Sequence, residues 1–500
     1  MGSLASCNKP QSAVIEKPNV LLISIDDLNN WIEHLGGHPQ AQTPNLASFA
    51  QEAVTFRHSY TVSPSCNPSR TAMMTGRMPW ETGLYTNPQI WRHVVGDEVV
   101  MPEYFRESGY YSAGAGKIYH ANMPDPRSWD DNFPDRIKQL PDYYLPVQDP
   151  TTGARRFALT DNEIREDDPD GVTMTMPPFR GSYIAFDFAP LPVETEETGD
   201  YSSIQWISDQ LKKKHDRPFF LAAGIYRPHL PWYVPQKYFD KFPLADIQLP
   251  VVMENDLDDV PELGQNVARN RYHEKVLEAD LWKQAVQGYL ASINYADELV
   301  GKLLQDLAES EYADNTIVVI FSDHGWQLGE KEHWRKFSLW EDVLNTVLMV
   351  KAPPGIPGLP SGSYVGGVSD RNVSLVDIFP TLTELVGLPG KKGVSGKSLI
   401  PLLKNPEAEW NYPVVSSLDD DKYSVMYNGW HLIQYAGVQN ELYDLASDPN
   451  EWTNLAGTED QQDRIAEMAA FIPSERKPFV KTASLRWEDV LSGKVSFEKK

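Results

Sequence analysis

Residues 19–27 read Asn-Val-Leu-Leu-Ile-Ser-Ile-Asp-Asp, an apolar run of strand length that stops on two carboxylates. A strand with one wet face alternates apolar and polar side chains, whereas a strand covered on both faces is apolar almost throughout. Val20 to Ile25 is of the second kind. So is Thr316-Ile317-Val318-Val319-Ile320-Phe321, which runs into Ser322-Asp323-His324-Gly325. Both read as buried parallel strands. Helical patterns lie between such strands, most clearly from Leu281 to Leu307, where Leu290, Ile293, Ala296, Leu299, Val300, Leu303 and Leu304 recur at spacings of three and four and share one face. Strands alternating with helices predict a doubly wound α/β fold with a mostly parallel sheet. In such sheets ligands collect at the carboxyl ends of the strands, where both acidic clusters fall.

The chain of 500 residues, 41% hydrophobic and 11% aromatic, is long enough for one large domain and a smaller one. Residues 18–390 are expected to form the α/β domain. A helical segment around Leu375 to Val386 is followed by a Gly/Lys/Pro-rich stretch, Gly387 to Pro401, that marks the boundary. Residues 391–500 hold strand-like runs at Tyr412 to Ser416, Tyr423 to Tyr427 and Trp430 to Tyr435, then a helix near Gln461 to Ala470, and predict a small C-terminal α+β subdomain. Pro-rich stretches from Pro124 to Pro150 and Pro177 to Pro192 read as long surface loops.

Lys and Arg number 45 against 70 Asp and Glu, a formal charge of −25, which argues against nucleic-acid binding through a positive field and against attraction to an anionic membrane. An anionic substrate would need a locally basic site. The two cysteines, Cys7 and Cys66, make no disulfide framework, and no apolar run of about 18 residues predicts a membrane span. Residues 1–17 read as a tail or signal remnant. Leu4-Ala5-Ser6-Cys7 looks like the end of a bacterial lipoprotein signal, so an exported protein, periplasmic or at the outer surface with a lipid anchor at Cys7, is expected.

Cys66 stands in Pro64-Ser65-Cys66-Asn67-Pro68-Ser69-Arg70-Thr71-Ala72-Met73-Met74-Thr75-Gly76-Arg77. A thiol used for packing has apolar neighbours, whereas this one has those of a turn entering a helix. Pro68 suits the first helical turn, which sets Cys66 beside the helix N-terminus, where backbone donors favour an anion. Cys66-Asn67-Pro68-Ser69-Arg70 with Thr75-Gly76-Arg77 resembles the signature of the type I sulfatases, in which a maturation enzyme oxidises this cysteine to formylglycine, the nucleophile in its hydrated form. The resemblance runs from Pro18 to Gly457 and includes Glu441-Leu442-Tyr443-Asp444-Leu445 and Asp448-Pro449-Asn450-Glu451. It is nearest to the iduronate-2-sulfatase-like branch through Gly116-Lys117-Ile118-Tyr119-His120, Arg227-Pro228-His229-Leu230-Pro231 and Ser322-Asp323-His324-Gly325-Trp326.

The resemblance implies an alkaline-phosphatase-like fold and a sulfuric ester hydrolase. A sulfate monoester is a tetrahedral anion, so its cleavage needs positive charge, a hard cation and an in-line nucleophile. By resemblance Asp26, Asp27 and Asp323, with modified Cys66 and His324, hold Ca2+ or Mg2+. His324 replaces the family's usual asparagine and brings nitrogen into an oxygen-rich set. Arg70, Lys117 and Lys336 compensate charge, His120 assists the nucleophile and His229 protonates the leaving alcohol. Arg92 and His93, in Trp91-Arg92-His93, are expected to meet a sugar carboxylate. The implied substrate is a sulfated carbohydrate containing uronic acid, a glycosaminoglycan or an algal polysaccharide such as ulvan. The alternatives are a phosphatase or phosphonate monoester hydrolase of the same superfamily, and a catalytically silent glycan-binding protein.

Overall fold

Asn19–Ile25 lies inside an eight-stranded sheet with the spatial order Gly367–Ser369, Val54–Phe56, Leu348–Lys351, Thr316–Ser322, Asn19–Ile25, Phe219–Ile225, Tyr111–Gly116 and Asp131–Asn132. Leu348–Lys351 runs antiparallel to both neighbours and the remaining pairs are parallel. The computed structural model describes residues 17–120, 123–133, 186, 188–270, 272–482 and 485–492, with short strands at 146–148, 155–157 and 163–164. Cys7 lies outside the described residues, as does most of the second Pro-rich stretch.

Continuous apolarity in the central strands has the expected cause. Leu21, Ile23 and Ile25 face one core with Trp232, Leu290, Leu299 and Leu303. Val20 and Leu22 face the other with Met73, Phe105, Phe379 and Leu399. Each fully buried aliphatic side chain stabilises by about 1.5–3 kcal/mol. The helix Trp282–Ala308 covers the first face and buries Leu290, Ile293, Ala296, Leu299, Val300 and Leu303, with Leu304 half-buried. The helix Cys66–Thr75 covers the second, with Met73 and Met74 in its core.

The C-terminal unit is an antiparallel meander, Val414–Leu418, Lys422–Tyr427, Trp430–Tyr435 and Gln439–Asp444. One face packs under the helix Gln462–Ala469 through Val425, Leu432, Leu442, Ile465 and Met468. The other packs Met426, Ile433, Tyr435 and Tyr443 against Tyr60, Leu339, Trp340 and Leu344 of the large unit. Leu399, Leu402 and Leu403, and Val490 near the chain end, join the core of the large sheet.

The described parts of the Pro-rich stretches keep Pro124, Pro126, Pro190 and Pro192 exposed, as expected of surface loops, but bury some of their neighbours. Asp125 and Ser128 are buried because Arg92 donates to Asp125 and Ser112 Oγ donates to Ser128 O. Phe188–Leu191 forms a strand parallel to Trp232–Pro235. Among the described residues no helix is long and apolar enough to cross a membrane.

Two glycines pinch the strand ends that lead to the acidic clusters. Gly116 has φ +74, and a Cβ there would lie 1.8 Å from Gly224 O. A Cβ on Gly224 would lie 2.4 Å from Lys117 N. Gly116→Ala must therefore force the strands apart and accept a left-handed conformation that costs about 1–2 kcal/mol by itself. The expected outcome is a lower chemical-denaturation midpoint together with displacement of Lys117; a midpoint equal to that of the unaltered protein would show that the approach is not tight.

Candidate active site

The strand Asn19–Ile25 continues its ladder one residue further, Asp26 N donating to Ile225 O at 3.1 Å, and then reverses. Asp27 takes φ +61, a left-handed conformation that aspartate tolerates better than branched residues. The reversal is held by Asp27 N donating to Asp323 Oδ1 at 3.2 Å and by Tyr289 Oη donating to Asp27 O at 2.8 Å. Asp323 and His324 follow the neighbouring strand Thr316–Ser322, so all three carboxylates meet at adjacent strand ends.

Cys66 opens the helix Cys66–Thr75, fully buried, with Ser65 as N-cap. Asn87 Oδ1 accepts from Ser65 Oγ and Asn67 N, both at 2.8 Å, while Asn67 Nδ2 donates to Gln89 O at 2.7 Å. Gln89 Nε2 in turn donates to Gly83 O and Val480 O, each at 2.8 Å, and Ile90 N donates to Thr482 Oγ1 at 2.9 Å. This brace around the helix start was missed in the sequence, where Asn87 and Gln89 sit in an unremarkable loop.

The sulfur lies 2.8 Å from Lys336 Nζ, 3.3 Å from His324 Nε2, 3.8 Å from Lys117 Nζ and 4.0 Å from Asp27 Oδ1. Lys336 Nζ also donates to Asp27 Oδ1 at 2.8 Å, and Lys117 pairs with Asp26. Arg70 is almost wholly buried. Its Nε donates to Asp323 Oδ2 at 2.8 Å, Nη2 to Asp26 Oδ1 at 3.0 Å, and Nη1 to Ser24 Oγ at 2.9 Å and Lys117 O at 2.6 Å. All three nitrogens are thus engaged, and Arg70 neutralises carboxylates inside the cluster.

His229 Nε2 stands 3.9 Å from Asp27 Oδ2, and its Nδ1 lies 2.5 Å from Leu230 O, which assigns the proton of the neutral ring to Nδ1. His324 is arranged likewise, with Nδ1 3.0 Å from Gly325 O. His120 follows Lys117 by three residues, half-buried, and its Nδ1 is buried without a hydrogen-bond partner.

The electrostatics follow from burial of mixed charges. Burial opposes ionisation of Asp26, yet Lys117 and Arg70 hold its carboxyl well below the usual range. Burial pushes Asp27 up to about 7, against the pull of Lys336 and with the repulsion of Asp26. Burial would raise the Cys66 thiol, but Lys117 and Lys336 outweigh it and lower it. His120 and His229 are held well below the ordinary histidine value, by burial first and then by Lys117 and Lys336. For His324 the carboxylate of Asp323 and the sulfur outweigh burial and raise it to about 9.

The donor set fits a hard divalent cation. Ligand atoms of Asp26, Asp27, Cys66 and His229 lie within 4.8 Å of one another, and those of Cys66, Asp323 and His324 do the same. Asp27 Oδ2 is buried and accepts no hydrogen bond, a cost that a cation would remove. A histidine whose Nδ1 is anchored to a carbonyl presents Nε2 as a ligand.

Arg92 is not brought to this cluster. Its side chain is 2% exposed, Nη2 donates to Asp125 Oδ2 at 2.5 Å, Nη1 donates to Glu98 O at 2.8 Å, and the guanidinium lies 4.3 Å from the Trp91 ring centroid. The expectation that it meets a sugar carboxylate is corrected, because an internal carboxylate already occupies it. His93 stands half-buried on the same short helix, Trp91–Val95.

A model of the Sulfatase family matches residues 18–388, and one for the C-terminal region of N-sulphoglucosamine sulphohydrolase matches residues 329–477. A sulfatase from Formosa agariphila is 34% identical over 470 residues, which is 92% of this chain and 87% of that protein. The iduronate 2-sulfatase of Homo sapiens is 29% identical over 427 residues, 78% of this chain and 72% of its own. Among solved structures, a phosphonate monoester hydrolase from Silicibacter pomeroyi superposes with a TM-score of 0.69 at 20% identity, over 91% of this chain and 94% of that one. That likeness establishes the alkaline-phosphatase-like fold.

Because burial raises Asp27 to about 7, well above its unfolded value, its protonation contributes stability that is lost as pH rises from the ordinary carboxylate range to about 7. Below about 7 a cation must first displace the proton. Calcium chloride added to chelator-treated protein is therefore expected to raise the unfolding temperature more at pH 8 than at pH 5.5, read by scanning calorimetry. Equal increments would remove Asp27 from the ligand set.

Proposed function

The chain belongs to the sulfatase family of sulfuric ester hydrolases, and from that premise we propose that it hydrolyses a sulfate ester of a uronic-acid-containing carbohydrate, using formylglycine made from Cys66 and a divalent metal. The observation that carries this reading is the setting of Cys66: at the start of a helix, with Lys336 Nζ at 2.8 Å and Lys117 Nζ at 3.8 Å from its sulfur, beside the buried carboxylates. No thiol placed for packing needs two ammonium groups.

A formylglycine-generating enzyme would supply the modification. When present, the hydrated aldehyde offers one hydroxyl to accept the sulfuryl group and a second whose deprotonation expels sulfate, and the metal, Ca2+ or Mg2+, supplies Lewis acidity. Asp26, Asp27, Asp323 and His324 would hold the cation. Lys117 and Lys336 draw the anionic ester to the nucleophile and balance charge on its oxygens as the ester bond lengthens. Arg70 holds Asp26 and Asp323 in place through its two ion pairs. His229, on the partly exposed side, faces the leaving oxygen. Burial and the two lysines keep its ring neutral, and a bound anion would offset the lysines' repulsion and let Nε2 carry the proton the departing alcohol takes. His120, with its free Nδ1, accepts the proton of the second hydroxyl. The likeness to iduronate 2-sulfatase supports a uronic-acid glycan, in a glycosaminoglycan or an ulvan-like chain.

Protein co-produced with a formylglycine-generating enzyme is expected to yield a Cys66 peptide lighter than the cysteine form by the mass of sulfur plus two hydrogens minus oxygen, and to release sulfate from an aryl sulfate faster than phosphate from the matching aryl phosphate. Cys66→Ala should leave only trace turnover, and Lys336→Ala should lower kcat by about 10²–10³-fold. Sulfate release by Cys66→Ala at the native rate would refute the scheme, and a preference for phosphate would favour the phosphohydrolase alternative.

A further inference from the structure

Arg335 stands one residue before the lysine that meets Cys66, on a short strand, Trp334–Arg335, paired with Gln327–Leu328. It takes φ +80, a left-handed conformation rare for a long side chain and maintained only where surrounding contacts impose it. Asn270 Nδ2 donates to Trp334 O at 2.5 Å on one side, and Phe337 N donates to Pro64 O at 3.2 Å on the other. The residue is 7% exposed.

A guanidinium buried to this extent ordinarily has a carboxylate. Arg70 has Asp26 and Asp323, and Arg92 has Asp125. Arg335 has none among the described residues. Its one hydrogen bond there runs from Nη1 to Tyr272 Oη at 3.0 Å, and its Nε is buried with no partner at all. The guanidinium lies 5.4 Å from the Tyr272 ring centroid and 5.7 Å from that of Phe337. Neither ring supplies an acceptor to Nε and Nη2. That edge of the fork matches a planar carboxylate with two parallel hydrogen bonds better than it matches a tetrahedral oxyanion.

We infer that Arg335 is a specificity-determining residue that takes the carboxylate of a uronic-acid ring of the sulfated carbohydrate through its unpaired Nε edge. The inference rests on the sulfatase reading above for the position of the ester. It assigns to Arg335 the carboxylate contact expected of Arg92 on the sequence alone.

The test uses Cys66→Ala protein, which binds without turnover, and two probes: a disaccharide with a single sulfate on a 2-sulfated uronate, and the same disaccharide with its carboxylate reduced to a primary alcohol. Calorimetry is expected to show about ten- to hundred-fold tighter binding of the acid. That preference should disappear in Cys66→Ala/Arg335→Met and shrink in Cys66→Ala/Arg335→Lys, which keeps the charge but loses the fork and serves if the methionine variant does not fold. Equal affinities for the two probes, an unchanged preference in the Arg335 variants, an equal loss for both probes, or no binding of either overturns the inference. Sulfate release by the unsubstituted, matured protein is measured separately. Release at equal rates from both probes sinks the subsite and spares the sulfatase reading. An intact carboxylate preference without any sulfate release does the reverse.

Discussion

The pairing of one guanidinium with two buried carboxylates holds the centre of this molecule together. Arg70 comes from the helix that begins at Cys66, Asp26 and Asp323 come from the ends of two adjacent strands, and all three side chains are at most 1% exposed. Breaking such a pair leaves a buried charge uncompensated, which costs about 3–5 kcal/mol. The pairing therefore does more than stabilise. It sets the distance between the helix start and the strand ends, and so places the sulfur within reach of lysine, histidine and aspartate together. Apolar residues of similar volume could pack there, but they could not orient the carboxylates for a cation.

Much of this was legible in the sequence because the signals are local. Val20 to Ile25 and Ile317 to Phe321 are apolar on both faces, which only a doubly covered strand requires, and the acids that follow them could fall only at the sheet's carboxyl edge. Cys66 betrayed itself by its polar neighbours. Arg92 misled because its surroundings are assembled from afar. Asp125, 33 residues away in the chain, claims its charge, and no local pattern announces that pairing. The left-handed conformations at Lys331, Glu332, Arg335 and Phe337 were equally hidden, since none of these residues is a glycine and each conformation is imposed by tertiary contacts.

Those contacts give the C-terminal sheet a part in the chemistry. Lys331 pairs with Asp256 at 2.7 Å and donates to Glu451 O; Glu451 receives the N–H of Glu341 at 2.9 Å and pairs with His431 of the meander. His333 bridges Ala268 O and Lys336 O, each at 2.9 Å. The loop from Gly329 to Ser338 is thus fastened at several points before it delivers Lys336 to Cys66. A loop with this many left-handed residues would not hold one shape by itself, and the second sheet lends it rigidity. The small subdomain is accordingly part of the site's frame.

The brace at the start of the Cys66 helix reaches residues near the far end of the chain, since Gln89 donates to Val480 O and Ile90 to Thr482 across separations of 391 and 392 positions. On a ribosome the chain emerges from its N-terminus, so these bonds cannot close until Val480 and Thr482 have been made, 391 and 392 positions after their donors. Until then the stretch around Cys66 lacks this clasp, so the helix start settles into its final frame only after the meander from Val414 to Asp444 has been made.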